Sequence, residues 1–303
     1  MRASRLALAA ALATLLPGCH RRPAADPAYL DDLQKVRAKR VASLTKEDGW
    51  LSLVGLHWLK AGENGFGSDP ASAIVLTAPG VPARAGSFEL RPDGSVVLRA
   101  EPGAPVLVNG APPSGAALAV DRSGKPDLVT VGRLRITLIQ RGSQLAARVR
   151  DPESAARKAF KGIDYFPVDP RLRVTGTLEP YPSLREVEVP SAQGPAQKAL
   201  APGLVRFELE GRKLALEPTV DGPDDDTFFF VFRDRTAGEG SYGAGRFLYA
   251  AAPKKGEKTV VLDFNRATSP PCAFTPFATC PLPTPQNELP VRVEAGEKAP
   301  AGH

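Results

Sequence analysis

Histidine, methionine, tryptophan and cysteine are all scarce here: three His, one Met, two Trp and three Cys in 303 residues. Each scarcity removes a class of chemistry. A Ser–His–acid triad needs an imidazole to activate its hydroxyl. His20 lies just after Cys19 and His303 is the last residue, which leaves His57 inside Val54-Gly55-Leu56-His57-Trp58-Leu59. That setting suits a packing or solvent-facing histidine better than a catalyst. No Gly-x-Ser-x-Gly elbow occurs. Gly238-Glu239-Gly240-Ser241-Tyr242-Gly243 is glycine-rich but lacks the strand–helix setting of a phosphate loop, and reads as a hairpin turn. The basic residues form no stripe and carry no aromatic stacking platform, which excludes nucleic acid as a partner. After the first twenty residues no apolar run is long enough to span a bilayer.

The N-terminus does carry a signal. Arg2 and Arg5 precede an Ala/Leu-rich run from Leu6 to Leu16, too short for a membrane span and ordered like a secretory leader. Leu16-Pro17-Gly18-Cys19 resembles a bacterial lipobox, cut before a Cys that is then acylated. Residues 1–18 are therefore expected to be a signal peptide, and 19–28 a lipidated Cys19 followed by a tether. The alternative is cleavage elsewhere, with Cys19 free or paired. Each buried CH₂ of an acyl chain contributes about 0.8 kcal/mol, so multiple acylation tethers firmly. The expectation is an exported, membrane-anchored lipoprotein of the bacterial cell envelope. The net charge of +6 falls to +4 once Arg2 and Arg5 are removed.

Proline (31) and glycine (28) point to many turns and few long helices. Tyr29 to Lys46 spaces Leu30, Leu33, Val36, Val41 and Leu44 as an amphipathic helix. Residues 29–59 are read as this helix plus an apolar segment, with Trp50 and Trp58 in packing roles. Residues 60–151 show short strands divided by Pro92-Asp93-Gly94, Asn109-Gly110 and Arg141-Gly142-Ser143, the pattern of a β-sandwich. Expected strands are Ala73–Leu76, Ser87–Leu90, Val96–Ala100, Val106–Val108, Leu128–Val131, Leu134–Gln140 and Leu145–Val149. The order of Gly67-Ser68-Asp69-Pro70, Val108-Asn109-Gly110 and Val131-Gly132 resembles a forkhead-associated sandwich. The Arg and Ser with which such domains read phosphothreonine have no equivalents here, so only the architecture carries over.

Residues 152–298 read as an antiparallel β domain, opened by a short helix at Pro152–Ala159. Its expected strands are Leu172–Thr177, Arg185–Val189, Leu204–Glu210, Lys213–Glu217, Thr227–Arg233, Arg246–Ala251, Thr259–Phe264 and Leu289–Glu294. Phe228-Phe229-Phe230-Val231-Phe232 is apolar on both faces, as in a central strand. The segment after Asp263 is rich in proline, which supplies no N–H and fixes φ, so the rest of the domain must hold it. Residues 299–303 are expected to be a disordered tail. The fold class is thus mainly β, with one or two short helices.

Cys272 and Cys280 leave three readings open. An exported location permits a disulfide, closing a loop of about nine residues and contributing roughly 2–3 kcal/mol. Free thiols are the second reading. Metal binding is the third, and two Cys with a distant His57 fall short of zinc's usual three or four ligands. No cofactor or metal is expected.

Several stretches together resemble one family: GWLSLVGLHWLKAGENGFGSDP, VRDP, FKGIDYFPVDPRLRV, YGAGRFLYA, and VLDFNRA continuing through PPCAFTPFATCPLP to AGEK. These are similar to a bacterial family known only as domain of unknown function 1684, over roughly residues 47–298. Phe277, Glu288 and Thr268-Ser269 stand where the resemblance leads one to expect Tyr, Arg and Tyr-Asn. The resemblance implies no activity; it directs attention to the C-terminal segment.

There the polar residues cluster. Arg233, Asp234, Glu239, Tyr242 and Arg246 bracket the glycine-rich turn, and Asp263, Asn265, Arg266 and Cys272 follow an apolar strand. Arg246 and Arg266 beside Tyr242 and Asn265 would suit a carboxylate or phosphate. Asp263 or Glu239 would serve as a base if burial raised its pKa. The structural alternative has Arg246 and Arg266 pairing with Asp263 and Asp234 to pin the proline-rich segment. Two functions follow: a membrane-tethered protein binding a small anionic ligand or an envelope protein, or a hydrolase-like enzyme acting on an anionic substrate through the Asp/Asn/Arg cluster.

Overall fold

The computed structural model describes residues 24–300. Cys19, the leader and most of the tether lie outside them. The first element is helix α1 (Pro27–Thr45), begun by Asp26, whose carboxylate accepts the Ala28 N–H at 2.9 Å, with Pro27 supplying a helical φ. Leu33 and Leu44 are buried, but Arg37 and Arg40 lie along the same inward stripe. The helix therefore docks by charge as much as by apolar contact.

Two sheets form the first β body. One has the order β1 (Leu53–Trp58), β9 (Gln144–Arg150), β8 (Leu134–Arg141), β7 (Val129–Val131), β6 (Val106–Val108). The other runs β3 (Ile74–Val75), β2 (Gly62–Gly67), β4 (Gly86–Leu90), β5 (Val96–Ala100). Phe66, Phe88 and Leu98 from the second sheet meet Val131, Ile136 and Val149 from the first in one core. This is the expected two-sheet sandwich. Two strands were missing from the sequence reading. β1 lies in the stretch assigned to the N-terminal segment, and its antiparallel pairing with β9 makes it part of the sandwich. β2 is GENGFG, with little strand propensity; its sheet neighbours and the buried Phe66 hold it.

Helix α2 (Ala155–Ala159), capped by Ser154, leads to the second body. Its main sheet has the order β12 (Arg212–Leu216), β11 (Gln197–Leu209), β10 (Arg173–Val189), β15 (Thr259–Asp263). The two expected strands at 172–177 and 185–189 are one long strand, β10. Its register breaks between Pro180 and Arg185, where proline cannot donate to the ladder. A separate pair, β13 (Thr227–Phe232) and β14 (Arg246–Ala251), closes over the same core. Phe230, Phe232, Leu248, Leu262 and Phe264 are fully buried there. The chain is mainly β, with several antiparallel sheets and one substantial helix.

One further expectation is corrected. Leu289–Glu294 alternates like a strand but forms no continuous ladder: the Leu289 N–H donates to Arg233 O at 2.7 Å and the Arg235 N–H to Val291 O at 2.9 Å, Pro290 lacks an N–H, and Arg246 and Asp234 hold Val293. Of the expected tail, the Ala299 N–H donates to Gly240 O at 3.0 Å, and residues 301–303 lie outside the described residues.

Trp58 packs between the two bodies. Gly194, at the tip joining β10 and β11, has φ +86°, and a Cβ there would lie 2.6 Å from the Trp58 ring. His57, on β1, has its ring over Gly55. Burial lowers the His57 pKa, favouring the neutral form in the fold. Above the unfolded pKa of about 6.5 this has no effect on stability. Below it the unfolded chain takes up the proton more readily, so stability falls with acidification. Urea unfolding between pH 7.5 and pH 5 is expected to show a smaller acid-induced loss in His57→Gln than in the wild type.

Candidate functional site

Arg246 begins β14 and is fully buried. Its guanidinium donates to Asp234 Oδ2 at 2.6 Å, to Val293 O at 2.8 Å and to Ala295 O. Asp234 in turn accepts the N–H groups of Thr236 at 2.8 Å and Val293 at 3.1 Å. Burial lowers the Arg246 pKa while Asp234 opposes the change. The pair faces the backbone of 293–295, so this arginine binds the protein's own carbonyls.

Asp263 ends β15. Its carboxylate accepts from Tyr29 Oη at 2.9 Å, from Asn265 N at 3.2 Å and from Arg266 Nε at 3.1 Å. Arg266 also pairs with Asp32 of α1. Burial, then the Asp263 charge, raises the Tyr29 pKa, so Tyr29 stays a donor. Asn265 is spent on backbone: it accepts the Asp169 N–H and donates to the Asp169 carbonyl, both at 2.9 Å. Glu239 is exposed and paired with Arg292 at 2.8 Å. Arg233 is exposed beside it, and Tyr242 Oη donates to Cys272 O at 3.1 Å.

The residues singled out in the sequence thus do not converge: Arg246 with Asp234 forms one network and Asp263 with Asn265 and Arg266 another, while Glu239 and Tyr242 have other partners. β13 pairs with β14 and β15 pairs with β10, so the strands flanking the glycine-rich turn do not pair with the strand carrying Asp263. A third carboxylate lies beside the Arg246 network. Glu297 is fully buried, accepts the Ser269 N–H at 2.7 Å and Arg40 Nε at 3.0 Å, and lies near Arg246. Its burial raises its pKa, with Arg40 the largest opposing influence. Cys272 and Cys280 are both free, and the Cys272 N–H donates to Cys280 Sγ at 3.2 Å. Among the described residues no group of three or more His, Cys, Asp or Glu is placed to hold a metal ion.

Arg233, Asp234 and Glu239 do border a cleft of about 470 Å³, whose lining is mostly charged; a more apolar one lies elsewhere. A cleft of about 540 Å³ opens between the tip of the β10–β11 hairpin, strand β13, and residues 279–287 of the proline-rich segment. Val189, Leu200, Val220, Phe229 and Leu282 give it apolar walls. Arg141, from the end of β8, closes one side. Thr279 in the wall accepts from Arg141 Nε at 3.3 Å and from Arg148 Nη2 at 3.4 Å. Arg141 also pairs with Asp121 at 2.7 Å.

Arg148, on β9, is only 7% exposed, and its Nε has no hydrogen-bond partner among the described residues. Its guanidinium lies 5.5 Å from the Trp50 ring. Burial, then repulsion from Arg150 and Arg141, lowers its pKa to about 10. Thr284 Oγ1, in the cleft wall, is likewise buried without a partner among the described residues. Asn287 braces the floor, exchanging bonds with Glu217 N and O and donating to Val231 O. Sequence reasoning missed Arg141, Arg148, Thr279 and Thr284. One signal was present: Arg148 interrupts the buried run Leu145-Ala146-Ala147, and a charge inside such a strand marks an unusual site.

The two kinds of arginine respond differently to substitution. Arg246→Ala would strand Asp234 and two carbonyls, and breaking a buried pair costs about 3–5 kcal/mol. Glu239→Gln removes only an exposed pair and should change stability by less than about 1 kcal/mol. Urea denaturation of both variants checks the contrast; equal effects would contradict the structural assignment of Arg246.

With this geometry in view, the comparisons with known proteins are informative about kinship. The model of the family described as "Protein of unknown function (DUF1684)" matches residues 158–298. An uncharacterized protein of Haloarcula marismortui, solved by solution NMR, is 32% identical, over 48% of this chain and 81% of that one, with a TM-score of 0.42. Comparison with curated proteins gave no match. The matched residues hold the Arg246, Asp263 and Glu297 networks and every wall of the cleft except the one closed by Arg141, and on these matches the chain belongs to the DUF1684 family.

Proposed function

We propose that this is a membrane-tethered binding protein of the cell envelope, which takes a small amphiphilic anion in the cleft beside Thr279. The observation that carries the reading is the company the cleft keeps. Its walls are largely apolar, with Glu217 and Asp221 at the hairpin side, and behind Thr279 lies the buried Arg148, which has no direct ion pair and whose Nε has no hydrogen-bond partner among the described residues. A cleft of this size lies in the usual range for small-molecule sites, roughly 300–1,000 Å³. Its walls suit an apolar body, and Arg141 and Arg148 around Thr279 suit a carboxylate or phosphate head. The Thr284 hydroxyl supplies a further polar contact inside the wall.

Tethering rests on the leader and on Cys19, in the lipobox-like sequence. Among the described residues no helix is long and apolar enough to cross a membrane. Labelled fatty acid is expected to be incorporated by the full chain and not by Cys19→Ser.

The binding reading favours a carrier or sensor over catalysis. Asp263 and Glu239, the two acids considered as bases, each sit in ion pairs away from the cleft walls. Octanoate and octyl phosphate are suitable probes, with octan-1-ol as the neutral control, tested on protein lacking residues 1–19. At 100 times its Kd a probe should add about 2.7 kcal/mol of stability, read as a thermal shift. Arg148→Met, which replaces an unpaired buried charge with an apolar chain, is expected to stay folded and lose the response. An equal shift with octan-1-ol would remove the anionic head from the proposal. No shift with any of the three would overturn the cleft as a site for amphiphiles.

A further inference from the structure

The proline-rich segment holds two thiols whose placement the ligand reading does not use. Cys272 lies on a single 3-10 turn, Pro271–Ala273, and is half-buried. Cys280 is 3% exposed, packed with Val231, Phe247 and Ala278. The Cys272 N–H donates to Cys280 Sγ at 3.2 Å, which places the two residues in contact. Tyr242 Oη donates to the Cys272 carbonyl at 3.1 Å. Arg148 lies close enough to act on Cys280 electrostatically. One accessible thiol, one buried thiol in contact with it, and nearby donors form an asymmetric pair.

We propose that Cys272 and Cys280 form a thiol–disulfide exchange site, at which Cys272 attacks a low-molecular-weight disulfide and Cys280 resolves the product. The atoms and electrons balance without a further reagent. Cys272, as thiolate, bonds to one sulfur of the external disulfide, breaking its S–S bond and releasing one thiol. Cys280 then loses its proton and bonds to Cys272 Sγ, breaking the mixed disulfide and releasing the second thiol. The protein loses two electrons and two protons, and the external disulfide gains both.

The order of attack follows from the surroundings. The nucleophile in exchange is the thiolate, and access decides which thiolate is met. The contact with Cys280 and then that with Tyr242 hold the Cys272 pKa down against its burial. Cys280 is pushed up by its contact with Cys272 and by burial, so it stays protonated until Cys272 is consumed.

The product would also stiffen one wall of the cleft. Thr279 and Pro281, on either side of Cys280, line it. The backbone around Cys280 is tied to the hairpin tip by Ala192 N to Cys280 O and Leu282 N to Pro190 O, both at 2.8 Å. This consequence is separate from the identity of any ligand, and so is the test.

Trypsin cuts after Arg266 and Arg292, and no Lys or Arg stands between them, so one peptide carries both cysteines and not Cys19. The reduced full chain is treated with glutathione disulfide under native conditions, alkylated and digested. The expected peptide is lighter by two hydrogens and carries no alkyl group. In Cys280→Ser the mixed glutathione disulfide should accumulate at Cys272. In Cys272→Ser it should form at Cys280 slower by on the order of tenfold or more. Denaturant should abolish that difference. Alkylation of both cysteines after excess glutathione disulfide overturns the proposal, as does equal trapping in the two folded variants. Should a variant fail to fold, the wild-type peptide still decides between formation and absence of the bond.

Discussion

A stretch of over thirty residues after Phe264 contributes no strand to any ladder, yet much of it is buried, and satisfying its backbone is the constraint on which the second body depends. Buried N–H and C=O groups must find partners, and an orphaned one costs about 1–3 kcal/mol. Here side chains supply many of them. Arg246 takes the carbonyls of Val293 and Ala295, Asp234 the N–H of Val293, and Glu297 the N–H of Ser269. The bond from Arg246 to Asp234 is less a source of net stability, since desolvation offsets much of its attraction. It keeps a cation buried where two carbonyls need a donor. An apolar residue at 246 would avoid the desolvation and leave those carbonyls unpaired.

The same economy docks the N-terminal helix. Tyr29 reaches Asp263, Asp32 reaches Arg266 of the same network, and Arg40 reaches Glu297, so two acid-centred networks are completed from α1. Asp234, Glu239, Arg246, Asp263 and Arg266 each have an ion-pair partner within the chain. Function therefore has to be sought where partners run out. Two buried arginines make the comparison. Arg246 has an aspartate and two carbonyls; Arg148 has a threonine at 3.4 Å and an aromatic ring. A buried cation without a direct ion pair recovers less of its desolvation cost, and an anionic ligand can offset the remainder. That argument favours the cleft over the polar cluster, although the cluster is richer in familiar residue types.

Much of the architecture was legible because turn chemistry is local. Asn109-Gly110 takes φ values of 51° and 84°, the left-handed pair such a turn requires, and the strands on either side follow. What failed to read locally was decided by partners. GENGFG is a strand because Phe66 fills the sandwich core and β4 lies alongside. Leu289–Glu294 has strand alternation, but its backbone bonds to Arg233 and Arg235 stop at Val291, and beyond that the Arg246 and Asp234 side chains take over. Pro180 and Pro182 hid the continuity of β10, since a break in donors looks like an end. The cleft was harder still. Its residues come from β8, the β10–β11 hairpin, β13 and the proline-rich segment, and only the fold brings Arg141 to Thr279.

The proline-rich segment also explains why the two β bodies meet where they do. Residues 280–282 bond to the hairpin tip at 190–192, while Thr279 receives Arg141 and Arg148 from the sandwich. Gly194 at the same tip admits Trp58 because no Cβ stands in its way. One short segment thus touches both bodies, walls the cleft, and holds both thiols. Proline suits this position because fixed φ angles reduce the entropy lost on ordering a strandless chain. A group bound against Thr279, or a bond closed between Cys272 and Cys280, acts on residues that already join the two halves. In the proposed reading the sandwich supplies the buried charge behind Thr279, and the second body the apolar walls of the cleft.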